Sequence, residues 1–445
     1  MEFQEFKNAV AEHCEALGVT EYELYYQTAE STSVSAYQQE INQFSASLEG
    51  GVCFRCILKG KMGYASTEHL SPESAAMVVK QALDNAACLE AEEPVFLGKG
   101  GKPYSILPAS TVQIPKTDEL VARVLSTQKQ LYEANPAVID GSTTQGVAEK
   151  SRIAIFNSNG LDLQDETILA GLVVAAVVSG DGEMANDYQI ALGSLETIDT
   201  AALTRKAAET ALAKLGGEPA PTGKYPVVFD PEAISDLLSA FSSVFSAENA
   251  RKGLSRLSGK EGEMIASPAV TIVDDPAYPG SFLQRSFDAE GSPTFRKTIV
   301  ENGQLNTLLY DLKNAALSGR ETTGNASKAN YDSPVGIRPF TLYLAAGTMT
   351  EEALLQEAGN GVYINSLGGL HAGANPVSGD FSLQSAGFLI ENGQKTRRVK
   401  SFTVAGNFYD LLKNVSFAAD NLEFPGMGTV GSPSVLVQGL SIAGK

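Results

Sequence analysis

Histidine, cysteine and tryptophan are scarce in this chain of 445 residues, which has 3 His, 4 Cys and no Trp. The histidines are His13, His69 and His371, and none has a second histidine within five residues. A local histidine pair for zinc is therefore absent. Four cysteines are too few for a disulfide scaffold in so long a chain, so we expect free thiols.

Two of the cysteines, Cys53 and Cys56, form a CxxC motif, but no second CxxC accompanies it. The pair lies in a β-rich segment, and strand residues three apart point to opposite faces. One metal or redox site cannot easily use both thiols. We predict structural roles for them.

Basic residues are also in deficit, with 33 Lys+Arg against 52 Asp+Glu and a net charge of −19. Proteins that bind nucleic acid do so chiefly through Lys and Arg side chains that contact phosphates. Direct nucleic-acid binding is therefore not expected. The longest apolar run, residues 168–178, is far shorter than the roughly 20 residues that span a bilayer. It predicts a buried strand and no membrane insertion. Residues 1–7 lack the pattern of a secretory signal, which predicts a cytoplasmic location.

Hydrophobic residues make up 43% of the chain and charged residues 19%, a globular composition with room for two or three cores. Periodicity and turn residues place the N-terminal elements. They predict helices over 3–17, from Pro72, over 118–133 and over 200–215; a meander over 22–29, 33–48 and 51–67; a loop over 92–103; and strands within 138–192.

The segment 216–223 combines turn formers with nothing to bury, and we interpret it as a linker between domains 1–215 and 224–445. The second domain opens with a strand over 225–229, followed by a helix that Asp230 caps. An apolar stripe then runs through Ile234, Leu237, Leu238, Phe241 and Phe245. Asn-Gly pairs at 302–303 and 392–393 indicate hairpins. The predicted fold class is α+β, with two domains that each have a mixed or antiparallel sheet covered by helices.

Two apparent motifs fail on context. The GxGxxG match at 426–431 is followed by a strand pattern, whereas a dinucleotide site needs a helix there. The acidic stretch 181–187 lacks the glycine and glutamate of a calcium loop, so a solvated turn is the better interpretation.

The most unusual stretch is 366–382, where four glycines surround His371, Asn375, Ser378 and Asp380. Such glycine density suits close backbone approach to a ligand or partner. The alternative, a long loop that only packs under a neighbouring domain, stays open.

At this stretch the sequence resembles the TldD/PmbA family, described as modulators of DNA gyrase and as peptide-maturing and peptide-degrading metalloproteases. Matching segments occur in order over nearly the whole chain. They are 181–184 with 187–188, 298–303, 373–382, 385–393 and 404–408.

The resemblance implies one of two branches that pair as a heterodimer. The TldD-like branch carries HExxxH on the helix after the first C-terminal strand, and a late cysteine ligand. In this chain those helix positions are Ser239, Ala240 and Val244, and residues 424–437 contain no cysteine. None of these residues can hold zinc or deprotonate its water. The resemblance therefore implies the PmbA/TldE-like branch, with no cofactor on this chain and zinc on a TldD-like partner.

The resulting hypothesis is a non-catalytic, metal-free subunit of a cytoplasmic metallopeptidase, paired with a TldD-like chain. We expect a homodimer when the chain is made alone, because an exposed apolar interface can be covered by a like surface. Extended or unfolded peptides would add to a sheet edge. His371, Asn375, Ser378 and Asp380 are the candidate lining of that peptide groove.

Two alternatives remain. The chain could be an active metallopeptidase with rearranged ligands, such as His371, Asp380 and a distant carboxylate. It could also be a protein-binding modulator related to gyrase without a peptidase role, which the family's descriptive name alone suggests.

Overall fold

The computed structural model describes residues 1–90 and 93–445. In the N-terminal half the elements are α1 (Phe3–Leu17), β1 (Tyr22–Tyr37), β2 (Glu40–Leu58), β3 (Lys61–Thr67), α2 (Pro72–Cys88), α3 (Thr117–Ala134), β4 (Thr143–Asn157), β5 (Asp162–Gly180), β6 (Glu183–Leu192), a 3-10 turn (Leu195–Thr197) and α4 (Thr200–Leu212).

One antiparallel sheet, in the order β3-β2-β1-β4-β5-β6, contains all the strands of this half. Alternate residues of a strand point to opposite faces. Leu24 and Val34 of β1 lie on the face that helices α1 to α4 cover. Tyr25 lies on the other face, against residues of the C-terminal half. The N-terminal sheet therefore has helices on one side and part of the second half of the chain on the other.

The predicted meander exists, but its turns lie elsewhere. Strand β1 continues without a break to Tyr37, so the break predicted after residue 29 is wrong. The turn falls at Gln38 and Gln39, which both have positive φ. Glutamine does not favour this conformation, so the sequence did not indicate a turn there. Gly50 lies within β2, where a Cβ would sit 2.1 Å from the Gln27 carbonyl oxygen of the paired strand. The glycine is therefore needed for close approach of the two strands and does not mark a turn.

The other N-terminal expectations agree with the structure within a few residues, and the buried run 168–178 lies in β5. The predicted loop is irregular over residues 93–103, while Glu92 lies outside the described residues. Cys53 and Cys56 are both buried on opposite faces of the sheet, which confirms that the CxxC pair is not a joint site.

The C-terminal half contains β7 (Gly223–Phe229), α5 (Pro231–Ala240), a 3-10 turn (Ser242–Phe245), α6 (Ala247–Arg251), β8 (Ile272–Asp274), β9 (Lys297–Glu301), β10 (Gln304–Leu305), α7 (Leu312–Leu317), β11 (Ala326–Ser327), β12 (Gly336–Ile337), β13 (Leu342–Leu344), α8 (Glu351–Ala358), β14 (Gly361–Gly368), α9 (Leu370–Gly373), β15 (Asp380–Glu391), β16 (Gln394–Asn407), α10 (Phe408–Lys413), β17 (Val415–Ala418), β18 (Val430–Gly431) and β19 (Val435–Ala443).

Its main sheet has the order β16-β15-β14-β7-β19-β17, and β16 also pairs with β19. That extra pairing closes five strands into a small barrel. A second sheet has the order β10-β9-β8-β13-β18. Helix α5 contacts β14 of the barrel and β13 and β18 of the second sheet, and one apolar core joins them. Parallel and antiparallel pairings occur together. The predicted α+β class, with mixed or antiparallel sheets and covering helices, is confirmed.

The segment 216–223 is not free of packing. Ala220 is fully buried in the C-terminal core, and its carbonyl accepts a hydrogen bond from the Lys445 amide at 3.0 Å. The Lys400 amide donates to the Glu218 carbonyl, also at 3.0 Å. The expectation of nothing to bury is wrong, because strands distant in sequence return to cover this segment. The domain boundaries themselves stay a prediction.

Both Asn-Gly hairpins are present. Asn302 and Gly303 have φ of 47° and 87°, and Asn392 and Gly393 have φ of 52° and 76°. These values fit the type I′ turn that the dipeptide predicted. In the described ranges, no helix is both long and apolar enough to cross a bilayer.

Candidate functional site

The candidate site lies where β14, α5 and the glycine-rich segment 366–382 meet. Strand β7 pairs with β14 only over residues 362–364, because Asp230 then caps α5 and turns the chain away. The last backbone bond on this side is from the Asp230 amide to the Ile364 carbonyl, at 3.0 Å. Residues 366–368 pair with β15, and Asn365 lies at the bulge between them and Ile364. No other described strand pairs with the second edge of 365–368.

Helix α5 is held by its cap and by its buried side. The Asp230 carboxylate accepts a hydrogen bond from the Ala233 amide at 2.8 Å, which confirms the predicted cap. The predicted apolar stripe is buried from Ile234 to Phe245. The α-helix ends at Ala240, however, and Val244 lies in the 3-10 turn that follows. The stripe is therefore shared by two elements.

Aromatic contacts join the end of α5 to the glycine-rich segment. Phe241 stacks on Phe408, and its ring also meets the edge of Phe381, with centroids 6.3 Å apart. Phe381 is the second residue of β15, the strand that follows the glycine-rich turn. The segment is thus attached to the helix through a common buried cluster.

Asn375, Ser378 and Asp380 come together in one turn. Asn375 Oδ1 accepts hydrogen bonds from the Val377 and Ser378 amides, at 3.0 and 3.2 Å. Asn407 Nδ2 donates to Asp380 Oδ1 and to the Ser378 carbonyl, both at 2.8 Å. These polar groups already stabilise the turn that carries them. The fourth predicted residue is apart from this network.

That residue, His371, lies on the single-turn helix α9 and is exposed. The carboxylate of Asp380 is also exposed, and hydrogen bonds from Asn407 and then Ser378 lower its pKa. Asp380 is therefore ionised at neutral pH. The structure makes Asn375, Ser378 and Asp380 one rigid turn and leaves the His371 ring unconstrained by it.

Two of the four glycines are needed by the chain itself. A Cβ on Gly379, whose φ is 79°, would lie 2.5 Å from the Tyr409 ring. A Cβ on Gly373 would lie 2.4 Å from the Ser382 carbonyl oxygen. At these two positions the close approach is internal packing. Gly369 has open space around it but a φ of 77°, so its backbone conformation, and not packing, favours glycine there.

The three positions that the resemblance aligns with metal-binding residues lie at the end of α5 and in the 3-10 turn after it. Ser239 is exposed, Ala240 is half-buried and Val244 is 1% exposed. Helix α5 contacts β18, which belongs to the late segment 424–437. Over residues 1–90 and 93–445, no group of three or more His, Cys, Asp or Glu side chains is placed to hold a metal ion.

Sequence patterns did not reveal that Asp230 titrates near neutrality. Burial raises the pKa of its carboxyl to about 7, and the neighbouring charges of Glu232 and Glu351 act in the same direction. Perturbed carboxyls are common in active sites. Here the group caps α5, so its role is structural.

The sequence also did not reveal a buried charge network where the two halves meet. Arg55 forms an ion pair with Glu23 at 2.6 Å, and Glu290 from the other half lies 4.0 Å from the same guanidinium. Charged residues in strands usually face solvent. Only the register of β1 and β2 turns these two inward.

Family comparison agrees with this architecture. The model of PmbA/TldA metallopeptidase domain 1 matches residues 22–86, the central-domain model matches 112–215 and the C-terminal-domain model matches 222–444. The first two stretches together build the single N-terminal sheet. The third contains the barrel and the candidate site.

Similar proteins cover nearly the whole chain. A metalloprotease of Methanothermobacter thermautotrophicus is 28% identical over 91% of this chain and 88% of its own length. The metalloprotease PmbA of Escherichia coli is 24% identical over 93% of this chain and 90% of its own.

Two solved structures have the same fold. A Thermotoga maritima protein, described as a candidate modulator of a DNA gyrase, superposes with a TM-score of 0.89 at 31% identity, covering 99% of this chain and 100% of its own. TldE from Thermococcus kodakarensis gives 0.87 at 24% identity, covering 98% and 99%. The fold and the family models define a metallopeptidase-like protein. The chain belongs to the PmbA/TldD metallopeptidase family, which confirms the prediction from sequence.

Proposed function

We propose that this chain is a non-catalytic, metal-free subunit of a cytoplasmic TldD/TldE-like metallopeptidase that matures or degrades peptides. The residues at three positions carry the proposal. By the resemblance, Ser239 and Val244 stand where the catalytic branch has two histidine ligands, and Ala240 stands where it has the water-activating glutamate. The late segment 424–437 has no cysteine. A catalytic zinc needs imidazole, carboxylate or thiolate ligands, and none is supplied there.

The backbone supports the same conclusion. Here the α-helix ends at Ala240, and Val244 is buried in the core from the following 3-10 turn. Because the side chain at position 244 is enclosed in the core, histidines introduced at positions 239 and 244 would not by themselves restore a metal site.

The chain's part in the assembly would be peptide binding. The open edge of β14 at residues 365–368 can accept an extended peptide through main-chain hydrogen bonds, with little sequence preference. His371 and the turn of Asn375, Ser378 and Asp380 follow directly in the chain and would border that peptide. The Asp380 carboxylate would favour peptides with a basic side chain or a free amino terminus nearby.

The catalytic partner would be a TldD-like chain that carries zinc. Alone, this chain would form a homodimer through the surface that the partner normally covers. Mixing the purified chain with a TldD-like chain from the same organism should convert the homodimer to a heterodimer in size-exclusion chromatography with light scattering. Persistence of two separate homodimers would count against the pairing.

Metal content tests the central claim. The chain is purified after expression in zinc-supplemented medium, and zinc is measured by elemental mass spectrometry, with a TldD-like chain as the positive control. We expect less than about a tenth of an ion per chain, since residues 1–90 and 93–445 supply no metal-ligand set. One tightly held ion per chain would overturn the proposal.

His371→Ala separates this proposal from catalysis by rearranged ligands. If His371 only borders the peptide, the variant should retain the kcat of the assembled heterodimer and change KM by less than about tenfold, a range typical of a single contact. Loss of turnover together with loss of a bound metal would favour a catalytic role. Ser382→Ala, at an exposed position beside the turn, is the matched control.

A further inference from the structure

A polar cavity of about 120 Å³ lies between the N-terminal sheet and the C-terminal half, apart from the candidate peptide groove. Its sheet side includes Tyr25, Gln27 and Asp165. The opposite wall includes Arg285, Lys328 and Arg338. At about 30 Å³ for each liquid water molecule, the volume equals roughly four waters. A single small organic molecule fits such a space, whereas a peptide does not.

The cationic wall is poorly neutralised. Lys328 is 8% exposed, and its ammonium contacts the Tyr25 ring, 4.8 Å from the centroid, and the Cys53 thiol. A ring and a thiol are weak acceptors, so the ammonium has no strong acceptor among the described residues. Arg338 likewise donates no side-chain hydrogen bond within the described chain, although its backbone is held by Asn325. Two positive groups are thus available to an anion.

The sheet side offers acceptors instead. Gln27 Oε1 and Asp165 Oδ2 are buried without a hydrogen-bond partner in the part of the chain that the structure describes. The Asp165 carboxylate lies 3.9 Å from Arg285, beyond hydrogen-bond distance. Buried acceptors without partners are uncommon in proteins and call for an explanation.

The second carboxylate in the cavity lining, that of Asp288, already accepts hydrogen bonds from the protein backbone. Asp288 accepts backbone hydrogen bonds from Glu290, Ser292 and Ala326. With three cationic side chains and two carboxylates in its lining, the cavity carries about one excess positive charge. Free donors and free acceptors therefore line the same cavity.

We propose that this cavity binds a free α-amino acid of small size, with its carboxylate on Lys328 and Arg338 and its ammonium on Asp165 and Gln27. A simple anion would leave the acceptors unpaired, and a simple amine would leave the cations unpaired. A ligand that carries an ammonium and a carboxylate on one carbon can pair with the cations and with the acceptors at the same time. Because the walls come from both halves of the chain, the bound amino acid stabilises their contact.

Calorimetric titration of the isolated chain tests this site without any reference to peptidase activity. The ligands are glycine, L-alanine and L-aspartate, and the partial probes are acetate, methylamine and inorganic phosphate. We expect saturable binding of at least one amino acid at one site per chain, at least tenfold tighter than any partial probe. Absence of amino-acid binding up to about 10 mM, which corresponds to less than about 3 kcal/mol, would overturn the proposal. Equal binding of acetate or phosphate would also overturn it, in favour of a plain anion site.

Variants locate the ligand. Arg338→Gln and Asp165→Asn should each weaken amino-acid binding by tenfold or more, and both retain side chains of similar size. Arg338 is exposed at the cavity mouth, so its variant should keep the melting temperature of the parent chain. Lys129→Met, on a side chain 67% exposed on α3, is the matched charge control and should bind like the parent. Unchanged affinity in both cavity variants would place the binding elsewhere.

Discussion

Phe241 and Phe408 stack face to face, with ring centroids 4.6 Å apart and ring planes 6° from parallel. Phe241 directly follows the last residue of α5, and Phe408 begins α10 after the strand that pairs with the glycine-rich segment. Both side chains are essentially fully buried. The stack therefore holds the end of the helix against the turn that forms one border of the candidate peptide groove.

Removing this ring should destabilise the C-terminal half. Phe241→Ala leaves a large cavity in the core, and such truncations typically cost about 3 to 5 kcal/mol. Denaturant unfolding followed by circular dichroism measures the change. Phe44→Ala removes the same ring from a position 55% exposed and should shift the free energy of unfolding by less than about 0.5 kcal/mol. Equal effects of the two variants would contradict the packing assignment.

Asp230 should make stability depend on pH. Its pKa is raised from 3.8 to about 7 by burial, so the folded chain holds a proton that the unfolded chain has lost. The stability associated with this carboxyl is fully present below about pH 4 and is lost as pH rises to about 7. A shift of about three units corresponds to at most about 4 kcal/mol.

Asp230→Asn keeps an acceptor for the Ala233 amide but removes the titration. The free energy of unfolding of the variant minus that of the parent should rise between about pH 4 and pH 7 and then level off. Urea titrations at several pH values measure this difference. A difference that falls across the same range would show that the Asp230 pKa is lowered.

The four thiols should differ sharply in reactivity. Cys14, Cys53 and Cys56 are buried, and burial raises the pKa of Cys14 to about 12 and of Cys56 to about 11. Since the thiolate is the reactive form, these groups should be inert in the native chain. Cys88 is exposed. A thiol reagent should therefore label one cysteine per chain before unfolding and four after it, and Cys88→Ser should abolish the native labelling.

Gly50 should not tolerate a side chain. Its φ of 138° is unfavourable for other residues, and a Cβ would collide with the Gln27 carbonyl in the paired strand. Gly50→Ala is expected to lower the free energy of unfolding by about 1 to 3 kcal/mol, as strained backbone positions do. Gly60→Ala, also at positive φ but with open space around it, separates strain from collision. Equal losses in the two variants would show that the collision adds nothing.

Local signals predicted the elements that local chemistry controls. The Asp230 cap and both Asn-Gly hairpins depend on contacts within a few residues, so their sequences were sufficient. The strand turn at Gln38 and Gln39 was missed because neither residue favours positive φ, and the long pairing of β1 with β2 and β4 imposes it. Gly50 suggested a turn for the same reason, because the need for glycine there comes from the close approach of a neighbouring strand.

The candidate site also has parts that the sequence indicated and parts that depend on distant contacts. The glycine-rich segment was recognisable from composition, but its internal hydrogen bonds to Asn407 depend on a residue 27 positions beyond Asp380. The cavity between the halves gave no sequence signal, because Gln27, Asp165 and Lys328 are ordinary polar residues in separate segments. Their burial follows from packing alone.

The sequence by itself determined the α+β class, the family and the absence of ligand-type residues at 239, 240 and 244, since these depend on residue identity and short-range periodicity. The tertiary structure alone decided that α5 stops at Ala240, that Ala220 is buried, and that charges from both halves surround one cavity. Those features arise from contacts between segments far apart in the chain, and no local pattern specifies which distant surface a side chain will meet.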